Sequence, residues 1–510
     1  MKHTYLGILL LLLVGHSRPA AAQYFNKRID PFAQGLGSTA FGVEVRSDGG
    51  YIIVAAAAFS DSLFYSSVVT SLVIGDEGDV GLIDRVIAPL SATYPGWSNT
   101  MAKRIYEGYI AGGNDYTIDS LDNAISRAVI YFISYEGNID SMVAVSPDNQ
   151  RWIGRATNQA PDGGFLICGE TSATGNGLQG FVIRTDAQGN ELWTQTYGGP
   201  WNDGIISIAA SSDSTLFTGG IRRVSSSDRQ FWVQCLGANG DVVWEKIWGG
   251  AYPESNAAIS LASNGDVLAA GSFQYVTTMA RRYLARISPL DGSFIWQYQY
   301  APQAIDCALQ TVKEVLPSMD LIACGSMSAP GAQNFGTLLR TTSDGDSLWM
   351  RHYQYHAPVA PSSSGLLRDV VPTPDGGFIA VGSAFPLAGV YTQDVWVIKV
   401  DSMGCLEPGC HLITGIESQV SNLKGALTVA PNPVRAGEAV QLSISLPPSI
   451  TPQGPLRLTV VSSDGRLVQE QHFAPHSSEL TLHTSFAPGL YHLHISDATR
   501  WLAGAKVVVE

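Results

Sequence analysis

Short runs of apolar residues alternate with polar turns along most of the chain. In each repeat, an Asp or Asn beside Gly forms a turn, and an apolar strand that ends in small residues follows it. Clear copies begin at Asp48, Asp162, Asn264 and Asp375, and weaker copies lie at 108–113, 214–220 and 320–325. A second hairpin follows each copy, so a unit of roughly 50 to 56 residues predicts four short antiparallel strands.

Seven such units, with no helical period between them, predict an all-β protein that contains a seven-bladed β-propeller. A four-stranded sheet gains a core only when it packs against its neighbours around an axis. The second hairpins carry recurring tryptophans, which are Trp193, Trp244, Trp296 and Trp349. We interpret these rings as packing between blades, with a ligand cage as the alternative.

The last unit lacks a fourth strand, because the chain turns towards Cys405 soon after Asp401. Residues 24–29, which precede the first unit, have the pattern of such a strand. We therefore expect the N-terminal strand to complete the last blade, so that residues 23–412 form a closed propeller. Closure would also remove a sheet edge that otherwise promotes aggregation.

The first 22 residues have the pattern of a secretory signal peptide. Lys2 precedes an apolar run at 6–14, and the small residues at 20–22 favour cleavage between Ala22 and Gln23. No apolar stretch reaches the roughly 20 residues that a membrane helix needs. The sequence therefore predicts an exported protein without a membrane span.

Charge and cysteine content narrow the range of partners. Acidic residues outnumber basic ones by 44 to 30, and the formal net charge of −14 makes nucleic acids and anionic membranes poor partners. Cys405 and Cys410 flank a Pro-Gly turn and predict one structural disulfide, with metal binding as the alternative. The other cysteines are interpreted as small buried hydrophobic residues: Cys168, Cys235, Cys307 and Cys324.

Residues 413–426 have the composition of a polar linker, and residues 427–510 predict seven short strands of a small Ig-like β-sandwich. Three groups of motif residues lie along this segment: Pro431, Asn432 and Pro433 at its start, Asp464 and Gly465 in its middle, and Gly489, Tyr491 and Lys506 near its end. On these residues the segment resembles the C-terminal (type A) sorting domain of cargo proteins of the type IX secretion system of Gram-negative bacteria. The repeats that precede it also resemble the Gly-rich repeats of such cargo.

The resemblance implies a route and a partner. The signal peptide would take the chain across the inner membrane, and the type IX secretion machinery would recognise the C-terminal domain and export the protein from the periplasm. The implied destination is the medium or the outer cell surface. The resemblance implies no ligand.

Motifs of cofactor and metal sites are weak in this sequence. Residues 175–180 match the dinucleotide-binding pattern, but a strand follows them, whereas a nucleotide site needs a helix. The acidic turns at 76–79 and 344–346 lack the ligand spacing of a calcium loop. We interpret His492 and His494 as residues of a solvent-exposed strand face, with a metal pair as the alternative. We expect no cofactor and no metal, and we assign no catalytic residue.

One set of residues has the chemistry of a binding site. At the predicted starts of inner strands, aromatic residues are followed at short range by hydrogen-bonding groups. The set comprises Trp97 with Asn99, Trp201 with Asp203, Tyr252 with Glu254 and Asn256, and Asp306 without an aromatic partner. Aromatic faces beside amides and carboxylates suit sugar rings. The alternative is that the rings cap blade interfaces and the polar groups close turns.

These patterns predict a secreted or cell-surface propeller that acts as a binding or scaffolding module for a glycan or a surface protein. A polysaccharide-degrading hydrolase or lyase on the same scaffold is the alternative. Two acidic side chains with shifted pKa values in a deep channel would favour the enzyme, and a shallow aromatic face would favour binding.

Overall fold

The structure is a computed structural model of the chain. It describes residues 24–60, 65–86, 91–97, 100–105, 108–118, 124–147, 150–175, 177–276, 279–300, 306–329, 333–355, 364–385, 392–407, 410, 426–446, 452, 454–462, 466–474, 477–497 and 501–510. These residues contain 36 β-strands and no α-helix, which confirms the all-β prediction. They divide into two compact units, with the division between residues 412 and 413.

The described part of the larger unit contains seven antiparallel sheets, numbered here in chain order. Sheet 1 contains β2 (Ser38–Val45), β3 (Tyr51–Ser60), β4 (Tyr65–Ile74) and β5 (Val80–Arg85). Sheet 2 contains β6 (Ala92–Pro95), β7 (Met101–Lys103), β8 (Tyr109–Ile118), β9 (Ala124–Ile133) and β10 (Ile139–Ala144). Sheet 3 contains β11 (Trp152–Gln159), β12 (Phe165–Thr171), β13 (Gln179–Thr185) and β14 (Glu191–Tyr197).

The remaining four sheets repeat the same order of strands. Sheet 4 contains β15 (Gly204–Ala210), β16 (Leu216–Arg223), β17 (Arg229–Leu236) and β18 (Val242–Trp248). Sheet 5 contains β19 (Ser255–Leu261), β20 (Val267–Val276), β21 (Met279–Ile287) and β22 (Phe294–Tyr300). Sheet 6 contains β23 (Asp306–Val315), β24 (Asp320–Ala329), β25 (Gln333–Thr341) and β26 (Ser347–Tyr353). Sheet 7 contains β27 (Gly365–Pro372), β28 (Phe378–Ala384), β29 (Asp394–Val400) and β1 (Phe25–Ile29).

The strand that comes first in each sheet, here called the inner strand, packs against the preceding sheet. The inner strand of sheet 1 packs against β27 and β28 of sheet 7, so the series of sheets closes on itself in a propeller-like arrangement. Each interface between consecutive sheets holds its own apolar cluster. Each Val, Leu, Ile or Phe side chain that is fully buried there stabilises the fold by about 1.5–3 kcal/mol.

The recurring tryptophans lie between consecutive sheets. Each indole N–H donates to a backbone carbonyl in a turn of the next sheet, at 3.0–3.1 Å: Trp193 to Ala238, Trp244 to Pro289, Trp296 to Ser343 and Trp349 to Ser402. Tyrosines four residues later donate to the same turns: Tyr197 to Gly240, Tyr300 to Gly345 and Tyr353 to Gly404. The tryptophans are therefore packing residues between sheets, as the repeat pattern predicts.

The strand β1 joins three sheets. It pairs antiparallel with β29, with Phe25 opposite Lys399, and so supplies the fourth strand of sheet 7. Asn26 accepts a hydrogen bond at 2.6 Å from the indole Nε1 of the fully buried Trp396, and it donates at 3.0 Å to the Gln354 carbonyl beyond sheet 6. The ring of Phe25 packs edge-on against Tyr51 of sheet 1. These contacts join the N-terminal strand to sheets 6 and 1, which are the two neighbours of sheet 7.

The repeated aspartates form turns. The carboxylates of Asp48, Asp162 and Asp375 each accept the backbone N–H two residues later. Several turn aspartates also pair with a basic residue on the third strand of their sheet: Asp162 with Arg184, Asp266 with Arg286, Asp320 with Arg340, and Asp375 with Lys399. Their recurrence therefore has a structural cause.

The smaller unit contains two sheets in its described part. One has the order β30 (Leu427–Ala430), β31 (Ala439–Ile444) and β34 (Glu479–His483). The other has the order β33 (Leu467–Phe473), β32 (Leu456–Ser462), β35 (Gly489–Ser496) and β36 (Trp501–Val509). A single apolar cluster, which includes Leu442, Val460 and Leu493, contains side chains from both sheets.

The structure contradicts the sequence interpretation of two histidines and confirms that of two cysteines. The expected solvent exposure of His492 and His494 is wrong, because each side chain is 2% exposed; burial lowers the pKa of His492 to about 3. The expected disulfide between Cys405 and Cys410 is confirmed, with their Cα atoms 5.6 Å apart. The four remaining cysteines are buried.

Candidate functional site

The inner strands of the seven sheets are irregular at corresponding positions. In sheets 1 and 3 to 7 the register against the second strand shifts by one residue. The extra residues are Phe41, Arg155, Ile206, Asn256, Gln310 and Arg368. In sheet 2 the inner strand is interrupted, because β6 ends at Pro95 and β7 begins at Met101. Such bulges redirect side chains and are common beside functional sites.

Side chains from three of these irregular positions are in contact. The guanidinium of Arg368 lies 4.3 Å from the ring centre of Trp97 and 4.7 Å from that of Phe41. Arg368 belongs to sheet 7, Phe41 to sheet 1 and Trp97 to sheet 2, so this contact spans three consecutive inner strands. Burial lowers the pKa of Arg368 to about 10, and the group remains protonated at neutral pH. The cation and both rings form one cluster near the centre of the ring of sheets.

Trp97 occupies a different place from the one that the sequence suggests. It lies in the interruption of an inner strand and not before its start, and its backbone N–H donates to the Arg155 carbonyl of sheet 3 at 2.9 Å. Its side chain is 37% exposed. Its predicted partner, Asn99, lies outside the described residues.

Asp203 and Glu254 hold the loops before β15 and β19. Asp203 accepts hydrogen bonds from the backbone N–H groups of Gly199 at 2.6 Å and Arg223 at 2.7 Å. Glu254 accepts them from Gly250 and Gln274, both at 2.7 Å. Burial raises the pKa of both carboxyl groups, that of Glu254 to about 7. These two predicted binding residues therefore have structural roles in closing loops.

The remaining predicted residues lie at the starts of consecutive inner strands. Trp201, before sheet 4, is 41% exposed, and Tyr252, before sheet 5, is half-buried. Asp306 begins β23 and accepts a hydrogen bond from the Ala280 N–H at 3.1 Å. Asn256 is the extra residue of β19, and its side chain lies outside the described part. Because these inner strands run in one direction, Trp201, Tyr252 and Asp306 lie on the same face of the larger unit. The described ring contacts of Trp97 are with sheets 7 and 1.

A cleft of about 190 Å³ lies between sheets 3 and 4, and Asn202, the residue after Trp201, is part of its lining. Its charged and polar lining consists of Glu170, Asn202, Asp203, Arg223 and Arg229, and its apolar lining includes Leu178, Ile206 and Ile221. Asn202 is held in place because its Oδ1 accepts the Leu178 N–H at 2.9 Å. The cleft therefore combines an apolar wall with fixed polar groups, which is the composition of a small-molecule site.

Glu44 is a further candidate site residue that the sequence analysis did not identify. Burial raises the pKa of Glu44 on β2 to about 7, with nearby Lys313 and Lys103 opposing the shift and Asp369 adding to it. These four residues lie on the inner strands of sheets 1, 6, 2 and 7. Asp369 is committed to the fold, since it accepts the N–H groups of Val43 at 3.1 Å and Val370 at 2.9 Å. The only sequence signal was a single charge within an otherwise apolar inner strand.

In the smaller unit, the motif residues near its two ends are in contact. The side-chain amide of Asn432 donates to the Lys506 carbonyl at 2.8 Å and accepts the Val508 N–H at 2.9 Å, so the Pro431–Pro433 segment is bound to β36. Gly489 begins β35, and the hydroxyl of Tyr491 donates to the Ala487 carbonyl at 2.6 Å. The remaining predicted residues, Asp464, Gly465, Ala22 and Gln23, lie outside the described residues.

Metal and membrane sites were searched in the described residues. No group of three or more His, Cys, Asp or Glu side chains could hold a metal ion. The same part of the chain contains no helix that is both long and apolar enough to cross a membrane.

Comparisons with known proteins bear on the architecture alone. No family model and no curated protein matches the chain. Drosophila Semaphorin 2a is similar in structure at 8% identity and a TM-score of 0.42, over 96% of this chain and 98% of that one. Sucrose-6-phosphate hydrolase from Lactobacillus gasseri has 10% identity and a TM-score of 0.33, over 76% and 92%. A puromycin hydrolase mutant complexed with PGG has 14% identity and a TM-score of 0.38, over 72% of this chain and only 62% of the hydrolase.

Proposed function

We propose that the chain is a secreted or cell-surface seven-bladed β-propeller, followed by an Ig-like sorting domain, and that it binds glycans on the face that carries Trp201. The observation that supports binding most directly is the exposed indole of Trp201, whose neighbour in sequence, Asn202, lines a cleft together with Arg223 and Arg229. An exposed indole presents a flat apolar surface to the C–H face of a sugar, and the fixed polar groups beside it suit hydroxyls.

The chemistry of this face favours binding over hydrolysis. Both carboxylates that the sequence placed there, Asp203 and Glu254, accept two backbone hydrogen bonds each. A general acid or nucleophile for glycoside cleavage must be able to approach the glycosidic bond, and these oxygen atoms are already occupied. A ring and a polar cleft remain, which are sufficient for recognition.

Export through a type IX route is supported by the motif residues of the C-terminal unit. The segment around Asn432 and the strand that carries Lys506 are far apart in sequence, yet they form one hydrogen-bonded element. Export machinery could recognise such an element as a single surface. Intact-mass measurement of protein from the native host tests this proposal: a mature chain that begins at Gln23 and ends near 413–426 supports it, and a secreted chain that begins at Met1 contradicts it.

The glycan proposal is tested by screening the mature chain on a glycan array and measuring the affinity of the best glycan. Trp201→Ala should weaken binding by roughly tenfold, which corresponds to about 1.4 kcal/mol. Tyr135→Ala is the matched control, because Tyr135 is also an exposed aromatic residue but lies in the turn between β9 and β10 of sheet 2. Equal affinity of the Trp201→Ala variant and the parent would contradict the proposal.

A second candidate is a polysaccharide-degrading enzyme, favoured by one observation. Glu44 has a pKa near 7 and lies close to Asp369, whose pKa is also raised by burial. A carboxyl group poised near neutral pH is suited to general acid catalysis. Glu44→Gln should then abolish polysaccharide cleavage while glycan affinity is retained. Absence of cleavage in the parent protein across polysaccharides that it binds would exclude this candidate.

A further inference from the structure

The geometry points to an acidic sugar as the ligand of the cleft between sheets 3 and 4, and we infer that Arg223 and Arg229 bind its carboxylate. This inference rests on the proposed glycan-binding function and specifies its ligand class. The cleft of about 190 Å³ is lined by both arginines and by Asn202, the residue that follows the exposed Trp201.

The lining of the cleft contains two carboxylates and two arginines. Glu170 in the lining pairs with Arg155 at 3.2 Å, and Asp203 pairs with Arg222 at 3.4 Å. Arg223 and Arg229 also line the cleft, and neither forms an ion pair with a described residue. The lining carboxylates therefore pair with arginines from outside the lining, which leaves the two lining arginines available to an anion.

The side chain of Arg223 is held in place but is not saturated. Its Nη1 donates to the Ser226 carbonyl at 2.7 Å, which fixes the guanidinium beside the cleft. Its Nε is buried and has no hydrogen-bond partner among the described residues, so only the two terminal nitrogens can reach a ligand. Those two nitrogens lie in one plane and are suited to a carboxylate, which can accept two parallel hydrogen bonds.

The next sheet shows that the fold does not require these arginines. Gln274 occupies the position in sheet 5 that Arg223 has in sheet 4, and its backbone N–H makes the same hydrogen bond to Glu254. Phe273 takes the place of Arg222 and packs beside Gly250, as Arg222 does beside Gly199. The loop is thus closed by a backbone amide in both sheets, and the arginine side chain is an addition specific to this cleft.

The experiment compares an oligogalacturonide with its methyl ester, which has the same sugar ring without the negative charge. The mature chain should bind the acidic form at least roughly tenfold more tightly, and Arg223→Gln should remove most of that preference. The variant keeps the backbone N–H that Asp203 accepts. Arg46→Gln is the control, because Arg46 lies in a turn of sheet 1 and pairs with Asp48 at 2.6 Å. Binding of the acidic form should also weaken as salt rises.

Three outcomes separate this inference from the function on which it rests. Equal affinity for the acid and the ester, with no effect of Arg223→Gln, would overturn the inference while glycan binding stands. Absence of binding to every glycan on the array would overturn both. If the Arg223→Gln variant fails to fold, the salt dependence of the parent protein still tests the inference. A preference for the acid that does not weaken as salt rises would overturn it.

Discussion

Asp203 and Glu254 occupy the same position in consecutive sheets, and each carboxylate accepts one backbone amide from four residues earlier and one from twenty residues later. Each therefore joins the loop before an inner strand to the end of the second strand of the same sheet. The acidic residues that the sequence suggests as ligand contacts thus stabilise the loops.

The first prediction concerns the pH dependence that Glu254 confers. Its folded-state pKa of about 7 lies above the ordinary 4.5, so the folded protein binds this proton more tightly than the unfolded chain. The contribution of Glu254 to stability is therefore complete below about pH 4.5 and is lost as pH rises to about 7. Glu254→Gln does not titrate. The advantage of the parent over this variant in melting temperature should be larger at about pH 5 than at about pH 8. If the parent's advantage in melting temperature grows with pH instead, the two backbone hydrogen bonds favour the charged carboxylate of Glu254 more than burial disfavours it.

The second prediction concerns the indole of Trp296 and the Ser343 carbonyl. Trp296→Phe removes the donor of a 3.0 Å hydrogen bond, while Arg286 still donates to the same carbonyl at 3.1 Å. The loss should be modest, about 0.5–1.5 kcal/mol in the free energy of unfolding. The control is Tyr298→Phe, since Tyr298 is 46% exposed and stacks on Trp296. Equal unfolding free energies of the two variants would show that the indole N–H does not stabilise the interface.

The fold was easier to predict than the site because its signals are local. Strand period and turn residues are visible within one repeat, and the spacing of Trp349 from its counterparts is visible by comparing repeats. The cluster of Arg368, Phe41 and Trp97 joins three sheets, and its geometry depends on bulges that leave no mark in the sequence. The burial of His492 was missed because β35 is buried on both faces from Tyr491 to Ser496, whereas the sequence interpretation gave this strand one solvent-exposed face.

The third prediction concerns Asn26, which joins the N-terminal strand to sheets 6 and 7. Asn26→Ala would leave the indole N–H of the fully buried Trp396 without its acceptor, which costs about 1–3 kcal/mol. Lys27→Ala is the neighbouring control, because the described contacts of the Lys27 ammonium are an exposed hydrogen bond of 3.4 Å to the Glu77 carbonyl and a position 5.6 Å from the Phe25 ring centre. Thermal unfolding should show a clear loss for the first variant and little change for the second. The reverse order would mean that β1 does not stabilise the larger unit.

The fourth prediction concerns Asn432 and export. Asn432→Ala removes both hydrogen bonds that join the motif segment to β36, and we expect the terminal strand to be held less firmly. The variant should accumulate in the periplasm of the native host, as cell fractionation would show. Thr481→Ala removes an exposed hydrogen bond to Gln441 in the same unit and serves as the control. Normal secretion of the Asn432→Ala variant would show that this connection is not part of the export signal.

The fifth prediction separates the two exposed tryptophans. The ring centre of Trp97 lies 4.3 Å from the Arg368 guanidinium, whereas the side chain of Trp201 is 41% exposed. Trp97→Ala should lower the free energy of unfolding by about 0.5–2 kcal/mol, because a partly buried cation loses an aromatic face. Trp97→Phe retains a face and should restore part of that loss. Trp201→Ala should stay within about 0.5 kcal/mol of the parent, since surface substitutions away from structural contacts are small in effect.

Glycan affinity gives the complementary measurement. Because the described ring contacts of Trp97 are with sheets 7 and 1 and the cleft lies between sheets 3 and 4, Trp97→Ala should retain glycan affinity while Trp201→Ala loses it. A Trp97→Ala variant with an unchanged melting temperature and weakened glycan binding would place Trp97 in the binding site. In that case the cluster with Arg368 would be a ligand-contacting surface, and the inner strands would have to be counted as part of the glycan site.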